Sequence, residues 1–485
     1  MIDTKMKLNR TTQGLENKYP IKIVQFGEGN FLRAFVDYAI YELNKAADFN
    51  AGVAVVQPIE EGLVSMLNDQ DGLYTLFMKG IKENEIIEDK KLIDTIVTGV
   101  DPYEDFEMYL NLAREASLEF IISNTTEAGI VYVSRDTQDM RPPSSFPAKL
   151  TLFLYERYNW FDGDINKGLT IIPCELINYN SDVLKDIILK YISDWNLGSD
   201  FRSWVLEHNS FHNTLVDRIV PGYPKDEIDI YNAQLNYSDS LIVTAEPFLL
   251  WVIEGGEKLK KQLPFYKTDL NVKIVEDMQP YRTRKVRILN GAHTSMVPFS
   301  LLYGNETVKE SIDDVFTSKF IQDTVFNEII STLNMEETEL NSFANEVFDR
   351  FRNPFIIHKL SSIALNSISK FKVRVLPSLL GYIKVHGKLP TNLVFAFACL
   401  LRFYKGTWRG VALPVRDDEK IMDNFVKIWS SSDVAIVVEQ ILSIKAYWGE
   451  DLTQVDGLVQ AITLALKEIE NQGVEKGYIN YAKEY

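Results

Sequence analysis

Apolar and polar positions fall into two textures along the chain. In the first half, short and mostly apolar runs alternate with longer amphipathic stretches. The runs are Ile21–Phe26 (IKIVQF), Val53–Gln57 (VAVVQ), Phe120–Thr125 (FIISNT) and Leu169–Ile172 (LTII). The stretches between them are Leu32–Lys45, Pro102–Ala113 and Ala148–Tyr158. A run that is apolar at successive positions predicts a strand buried on both faces, as in a parallel sheet covered by helices. The alternation predicts a doubly wound α/β domain. Asp101-Pro102 predicts a helix start, with an acidic N-cap and a proline in the first turn. Around Leu73–Val97, the runs LYTLFM and KLIDTIV predict an antiparallel excursion on the sheet edge. Beyond about residue 280, helical periodicity takes over from Arg284 to Glu470. The predicted class is therefore α/β over residues 1–280, followed by a mainly α-helical domain over 281–485, with Met278-Gln279-Pro280-Tyr281 at the change. The stretch after Gly473 predicts a short tail.

Composition narrows the partners. The 485 residues carry 51 Lys+Arg against 68 Asp+Glu, a net −17, which argues against a binder of nucleic-acid backbones, since that needs a cationic face. The longest apolar run, Leu393–Leu401, is far shorter than the roughly 18–20 residues of a membrane span. The start, MIDTKMKLNR, lacks the apolar core of a signal peptide. Cys174 and Cys399 are too few and too distant for a disulfide framework or a metal knuckle. The expectation is a cytoplasmic protein acting on a small molecule, with no nucleic acid and no membrane as partner, and a monomer or small homo-oligomer.

The first strand runs directly into Gly27-Glu28-Gly29-Asn30-Phe31-Leu32-Arg33-Ala34. A strand, a Gly-x-Gly turn and a helix let backbone approach a pyrophosphate closely, and the helix N-terminus supplies unpaired N–H groups and partial positive charge. This makes the first domain a candidate Rossmann-type dinucleotide-binding domain, although Leu32 stands where the fingerprint has its third glycine. The second strand ends Val56-Gln57-Pro58, with acids only at Glu60 and Glu61 and no Arg or Lys close by to clamp a 2′-phosphate. NAD(H) is favoured over NADP(H) on that ground.

In the second half, Arg284–Val297 (RKVRILNGAHTSMV) is the most informative segment. At about 3.6 residues per turn, Lys285, Asn290 and His293 fall within a roughly 140° arc of one helix, flanked by apolar residues. A lysine taken out of water there loses part of its preference for the charged form, which is how a lysine becomes a general acid or base. Asn290 can donate to a developing alkoxide, and His293 can orient a hydroxyl. The plain alternative is a snorkelling lysine and a satisfied core histidine.

The pattern Lys-x4-Asn-x2-His, preceded by Gly-x-Gly-x-Phe-x-Arg-Ala, resembles the polyol-specific long-chain dehydrogenases, the mannitol dehydrogenase family. The resemblance runs end to end, through Gln25–Asp37, Ser123–Ile130 (SNTTEAGI), Pro147–Thr151 (PAKLT), Pro173–Asn180 (PCELINYN), Thr214–Pro224 (TLVDRIVPGYP), Lys285–Thr294, Arg350–His358 (RFRNPFIIH) and Asp451–Val459 (DLTQVDGLV). It implies zinc-independent hydride transfer between NAD(H) and an open-chain sugar derivative, with Lys285 as general acid/base. It implies an oxyanion pocket of Asn290 and Asn180, a substrate-positioning His293, a substrate-site Asp217, and a cofactor turn of Gly27, Glu28, Gly29, Asn30, Phe31 and Arg33. Ser181 follows Asn180 where relatives often carry glycine. A hexuronate/aldonate pair and a plain polyol both remain open as substrates.

A uronate carboxylate needs a cation. From Arg350 to Arg374 the chain has six Lys/Arg and no acid. Arginine forks grip carboxylates bidentately, so Arg350 or Arg352, with His358 or Lys359, are the candidates. A solvated basic helix face is the alternative. His208 and His212 have the spacing of a metal pair on a helix but lack a third ligand.

Overall fold

The structure, a computed structural model, describes residues 5–15, 18–126 and 128–484. Met1–Thr4 of the start sequence and Glu127 of the SNTTEAGI segment lie outside the described residues. The chain divides into two compact units, Met1–Lys79 with Ile86–Met278, and Gly80–Glu85 with Gln279–Tyr485.

The first unit is built on a six-stranded sheet: β1 (Ile21–Phe26), β2 (Gly52–Val56), β3 (Ile96–Val100), β4 (Phe120–Ser123), β5 (Thr170–Pro173) and β6 (Ser210–Phe211). Their order is β3-β2-β1-β4-β5-β6 and every pairing is parallel. This is the doubly wound order whose reversal at β1 opens a crevice at the strands' carboxyl ends. Side chains alternate across a strand, and they divide the core accordingly. Ile23, Val53, Val55, Phe120 and Ile122 join one apolar cluster, with Phe35 and Ile40 of α1 (Asn30–Ala47). Val24, Phe26, Ala54, Val56 and Ile121 join the other, with residues of α2 (Phe106–Ala113), α3 (Phe146–Trp160) and α4 (Asn180–Asp194). Both faces of the sheet are thus covered, which is why the strands read as continuous apolar runs.

Three expectations for this unit change. Helix α2 starts at Phe106, and its N-cap is Asp105, whose side chain accepts from the Met108 N–H. Asp101 instead accepts from the Tyr103 N–H at 2.8 Å, closing a local turn. The excursion after Leu73 is a separate sheet in which Tyr74–Lys82 lies between Glu85–Ile93 and Val243–Ala245, while Ile96–Val100 belongs to the main sheet as its edge. His208 ends α5 (Ser199–His208), whereas His212 lies past β6 with its Nδ1 2.8 Å from the Glu254 carbonyl, so the two do not share a helix. A further small sheet joins β7 (Thr214–Asp217) antiparallel to β8 (Leu250–Glu254), with β9 (Val272–Val275) parallel beyond it.

The second unit is helical. The Met278–Tyr281 segment leads straight into α6 (Gln279–Arg284), a π-helical turn (Lys285–Asn290) and α7 (Gly291–Tyr303). Then come α8 (Glu337–Phe351), α9 (Ser367–Arg374) and α10 (Thr391–Phe403). Helix α10 is the core of the unit, with Leu393–Leu401 fully buried. Its N-terminus is capped by a distant carboxyl: Glu328 accepts from the N–H groups of Asn392 and Leu393, both at 2.8 Å. Burial pushes Glu328 up to about 7, although those bonds pull the other way. After α11 (Leu458–Gln472), the expected tail is a helix, α12 (Val474–Tyr481). A Cβ on Gly477 would stand 2.9 Å from Glu468 backbone atoms, so glycine lets α12 lie directly on α11. Tyr478 then donates to the Asn392 side chain at 2.6 Å. Among the described residues, no helix is long and apolar enough to cross a membrane.

Candidate active site

The glycine turn at the end of β1 has one glycine shaped by the protein and one that leaves room. Gly27 has φ +121°, and a Cβ there would meet the Asn124 carbonyl oxygen at 2.9 Å and Leu32 Cδ1 at 3.0 Å. Leu32, in the place of the third glycine, therefore packs into the space that Gly27 leaves. Gly29 is the N-cap of α1 and has nothing within 4 Å of its Cβ position. That open space beside the N–H groups of an 18-residue helix is what a pyrophosphate needs.

Arg33 does not face that space. It is 1% exposed, and its guanidinium donates to the Glu28 carbonyl (3.2 Å), the Leu241 carbonyl (2.5 Å) and Asn30 Oδ1 (2.7 Å). Its donors are spent on protein oxygens, so its part in the cofactor turn is that of a brace from behind. Asn30 completes that brace, and Phe31 stacks on Phe35 at 4.9 Å. Below the turn, Gln25 donates to the Gly27 carbonyl (3.1 Å) and to Asp37 (3.3 Å). Full burial, opposed by the Gln25 and Tyr74 hydrogen bonds and by Arg33, pushes Asp37 up to about 7.

Asn180 and Asn290 are placed very differently. Asn180, the first residue of α4, is fully buried. Its amide nitrogen donates to the Pro173 carbonyl (2.9 Å), the Glu175 carbonyl (3.1 Å) and Thr214 Oγ1 (3.1 Å). Its oxygen accepts from the N–H groups of Ser181 (2.9 Å) and Thr214 (3.0 Å). An amide has two hydrogens to give, and here both go to protein oxygens, so Asn180 ties β5, α4 and β7 together, and the oxyanion role expected of it requires one of these bonds to be released. Asp217 closes β7 opposite Leu250 and is largely buried.

Asn290 ends the π-helical turn, and its side-chain amide makes no hydrogen bond among the described residues. The single α-helix expected over 284–297 is therefore corrected. In a π-turn the bonds run i to i+5, and here the Gly291 N–H donates to the Val286 carbonyl, five residues back. The wider turn narrows the angle between residues five apart, so Lys285 and Asn290 stand closer to one side than the roughly 140° of an α-helix allows. Gly291 permits this locally, since a Cβ there would lie 3.2 Å from the Arg374 carbonyl at the end of α9. π-turns concentrate at functional sites because they give up regular bonding to aim side chains.

His293 follows one α-turn later. Its ring lies 4.5 Å from Phe351 and 5.2 Å from His358. Burial and then the positive charge of Arg350 lower the His358 pKa. The structure thus collects His293, His358, Phe351 and a buried Arg350 in the second unit. The other two cations proposed for a carboxylate stand apart. Arg352 turns to Asp349 (3.7 Å) and Asn84 (3.4 Å), and Lys359 is exposed where its backbone bridges Thr307. Two half-buried arginines, Arg287 and Arg374, make no hydrogen bond or ion pair among the described residues, and burial alone lowers both. Their only signal in the sequence is that both lie in acid-free stretches.

A doubly wound domain with a glycine turn on its first strand, joined to a helical unit carrying a Lys-Asn-His turn, defines a Rossmann-type dehydrogenase. Residues 21–267 match the Mannitol dehydrogenase Rossmann domain and residues 277–470 the Mannitol dehydrogenase C-terminal domain, and the chain belongs to this family of oxidoreductases acting on CH–OH groups. It is 46% identical over 470 residues to an altronate oxidoreductase of Yersinia enterocolitica, covering 96% of this chain and 97% of that one. It is 45% identical over 477 residues to an altronate oxidoreductase of Bacillus subtilis, covering 98% of each. Among solved structures it shares the fold of a substrate-free D-sorbitol dehydrogenase (TM-score 0.82, 20% identity, 98% of this chain and all of that one). It likewise resembles the Pseudomonas fluorescens mannitol 2-dehydrogenase complex with NAD and D-mannitol (TM-score 0.67, 20% identity, 99% of this chain and all of that one).

Proposed function

We propose that the chain is an NAD-dependent tagaturonate reductase, interconverting D-altronate and D-tagaturonate in hexuronate breakdown. The observation that carries the chemistry is the uncommitted Asn290 amide at the end of the π-turn that begins with Lys285. The substrate class rests on full-length similarity to altronate oxidoreductases. The reading makes the protein a cytoplasmic enzyme, acting as a monomer or small homo-oligomer.

The residues at the turn fit a dinucleotide: Gly29 leaves the space, and the α1 N-terminus the charge, that would hold a pyrophosphate. When bound, NAD(H) supplies or accepts the hydride. The chain's own groups do the rest. Asn290 donates its amide hydrogen to the oxygen on which charge builds, and a donor preset in this way is worth about 2.7–4 kcal/mol. Lys285 Nζ delivers the proton to that oxygen in reduction and removes it in oxidation. His293 orients a neighbouring hydroxyl, and Asp217 accepts from another. Arg350, with His358 beside it, supplies the charge opposite the carboxylate.

The test is NADH and NADPH absorbance followed with D-tagaturonate, D-fructuronate and D-fructose. Turnover of D-tagaturonate with NADH, well above the other two substrates, is expected. A preference for fructose would move the protein to the polyol branch, and turnover of neither uronate would refute the reading.

A further inference from the structure

We propose that Arg374 grips the carboxylate of the substrate and thereby selects a uronate over a neutral polyol. The inference rests on the functional reading above and names the guanidinium that meets this carboxylate. Arg374 is the last residue of α9. It is half-buried, and its guanidinium makes no hydrogen bond or ion pair among the described residues. Burial alone lowers its pKa, and no carboxylate of the protein opposes that shift. Taking a cation out of water without a partner is unfavourable, so an arginine kept in this state calls for an anion brought by a ligand. Arg287 shares the lack of a partner, but its Nη1 is buried. Among the described residues, no Arg374 nitrogen is buried in that way, so a ligand can reach them.

The backbone around Arg374 meets the turn that carries the reacting groups. Gly291 follows Asn290 directly, and its Cβ position lies 3.2 Å from the Arg374 carbonyl. Two residues on, the His293 ring lies 4.5 Å from Phe351 and 5.2 Å from His358. Both ends of the acid-free stretch Arg350–Arg374 therefore converge on residues 290–293. Lys370 stands one turn earlier on α9, on the same face as Arg374. Burial, and then the charge of Arg374, lower the Lys370 pKa. Its Nζ donates to the Ile363 carbonyl at 2.9 Å. Asp417, the acid that acts on Lys370, accepts from the Tyr404 hydroxyl. One face of α9 thus carries two cations, one held by a carbonyl and one open, and the neighbouring acid is already engaged. Arg350, 8% exposed, adds positive charge from a more buried place. Arg374 offers the planar fork that pairs with both oxygens of a carboxylate. A cation in the last turn also suits the helix dipole, but lysine would fill that role as well.

The test compares wild type, R374K and R374Q by KM and kcat for D-tagaturonate with NADH. Alongside stand the inhibition constants of D-altronate and of D-altritol, its uncharged counterpart, and the NADH dissociation constant. Lysine keeps the charge without the fork, and glutamine removes the charge. KM for D-tagaturonate and the D-altronate constant should rise about tenfold in R374K and about a hundredfold in R374Q. The D-altritol and NADH constants should stay within a few-fold of wild type. If R374Q fails to fold, R374K decides alone. Unchanged D-tagaturonate and D-altronate constants, the outcome for a cation that serves only the helix dipole, overturn the inference alone. An equal loss of D-altronate and D-altritol binding does the same. A wild type that turns over no uronate overturns the functional reading and this inference with it.

Discussion

Asn290 and Asn180 stand in the same kind of sequence context, yet the structure separates a donor that is free to act from one that is spent. The Asn290 amide makes no hydrogen bond among the described residues, so Asn290→Ala should lower kcat by about 10²–10³-fold while leaving the melting temperature and NADH affinity nearly unchanged. Asn180→Ala strips partners from the Glu175 carbonyl and from the Thr214 N–H, while the Pro173 carbonyl keeps the Thr214 hydroxyl. Each buried group left unpaired costs about 1–3 kcal/mol, so the variant should melt well below wild type. Should Asn180→Ala stay as stable as wild type and lose turnover as Asn290→Ala does, the buried amide must reorient during the reaction. Sequence alone could not make this distinction. Two of the hydrogen bonds of the Asn180 side chain involve Thr214, more than thirty positions away, so its saturation depends on where β7 lies. The same limit explains Arg33. An arginine in a cofactor turn reads as a ligand, until a loop some two hundred residues on supplies the Leu241 carbonyl that absorbs it.

Elements were legible in proportion to how far their own pattern determined them. The run IKIVQF became β1 at its predicted ends because both of its faces are buried. The first turn of α2 did not, because Asp101 and Asp105 compete for the same cap and Asp101 is drawn to Gln57 instead. The π-turn was invisible to periodicity, since six residues are too few to separate one helical period from another. The tail expected after Gly473 is instead the α12 helix, where Gly477 is the contact that lets two helices touch. The glycine turn yields the prediction at this scale. Gly27→Ala forces a Cβ to 2.9 Å from the Asn124 carbonyl at φ +121°, so it should cost about 1–3 kcal/mol of stability. Gly29→Ala meets nothing in the protein and should fold normally, yet bind NADH at least about tenfold more weakly, because its methyl occupies the space for the pyrophosphate. Equal NADH affinity in Gly29→Ala and wild type would remove the turn from the cofactor site.

At the scale of the whole molecule, a net charge of −17 says little about two anionic ligands, and the distribution says more. The acid-free stretches Gln279–Asn305 and Arg350–Arg374 both fall in the second unit, which carries Lys285, Asn290, His293, Arg350 and His358. The glycine turn and the α1 N-terminus fall in the first. Under the proposed function, dinucleotide binding belongs to one unit and proton transfer to the other, and the two should come apart in a single substitution. The direct measurement is Lys285→Ala, assayed for D-tagaturonate turnover and, separately, for NADH binding by fluorescence. Turnover is predicted to fall by about 10²–10⁴-fold, with NADH affinity within a few-fold of wild type. An unchanged turnover number would contradict the assignment of Lys285 as the acid/base group.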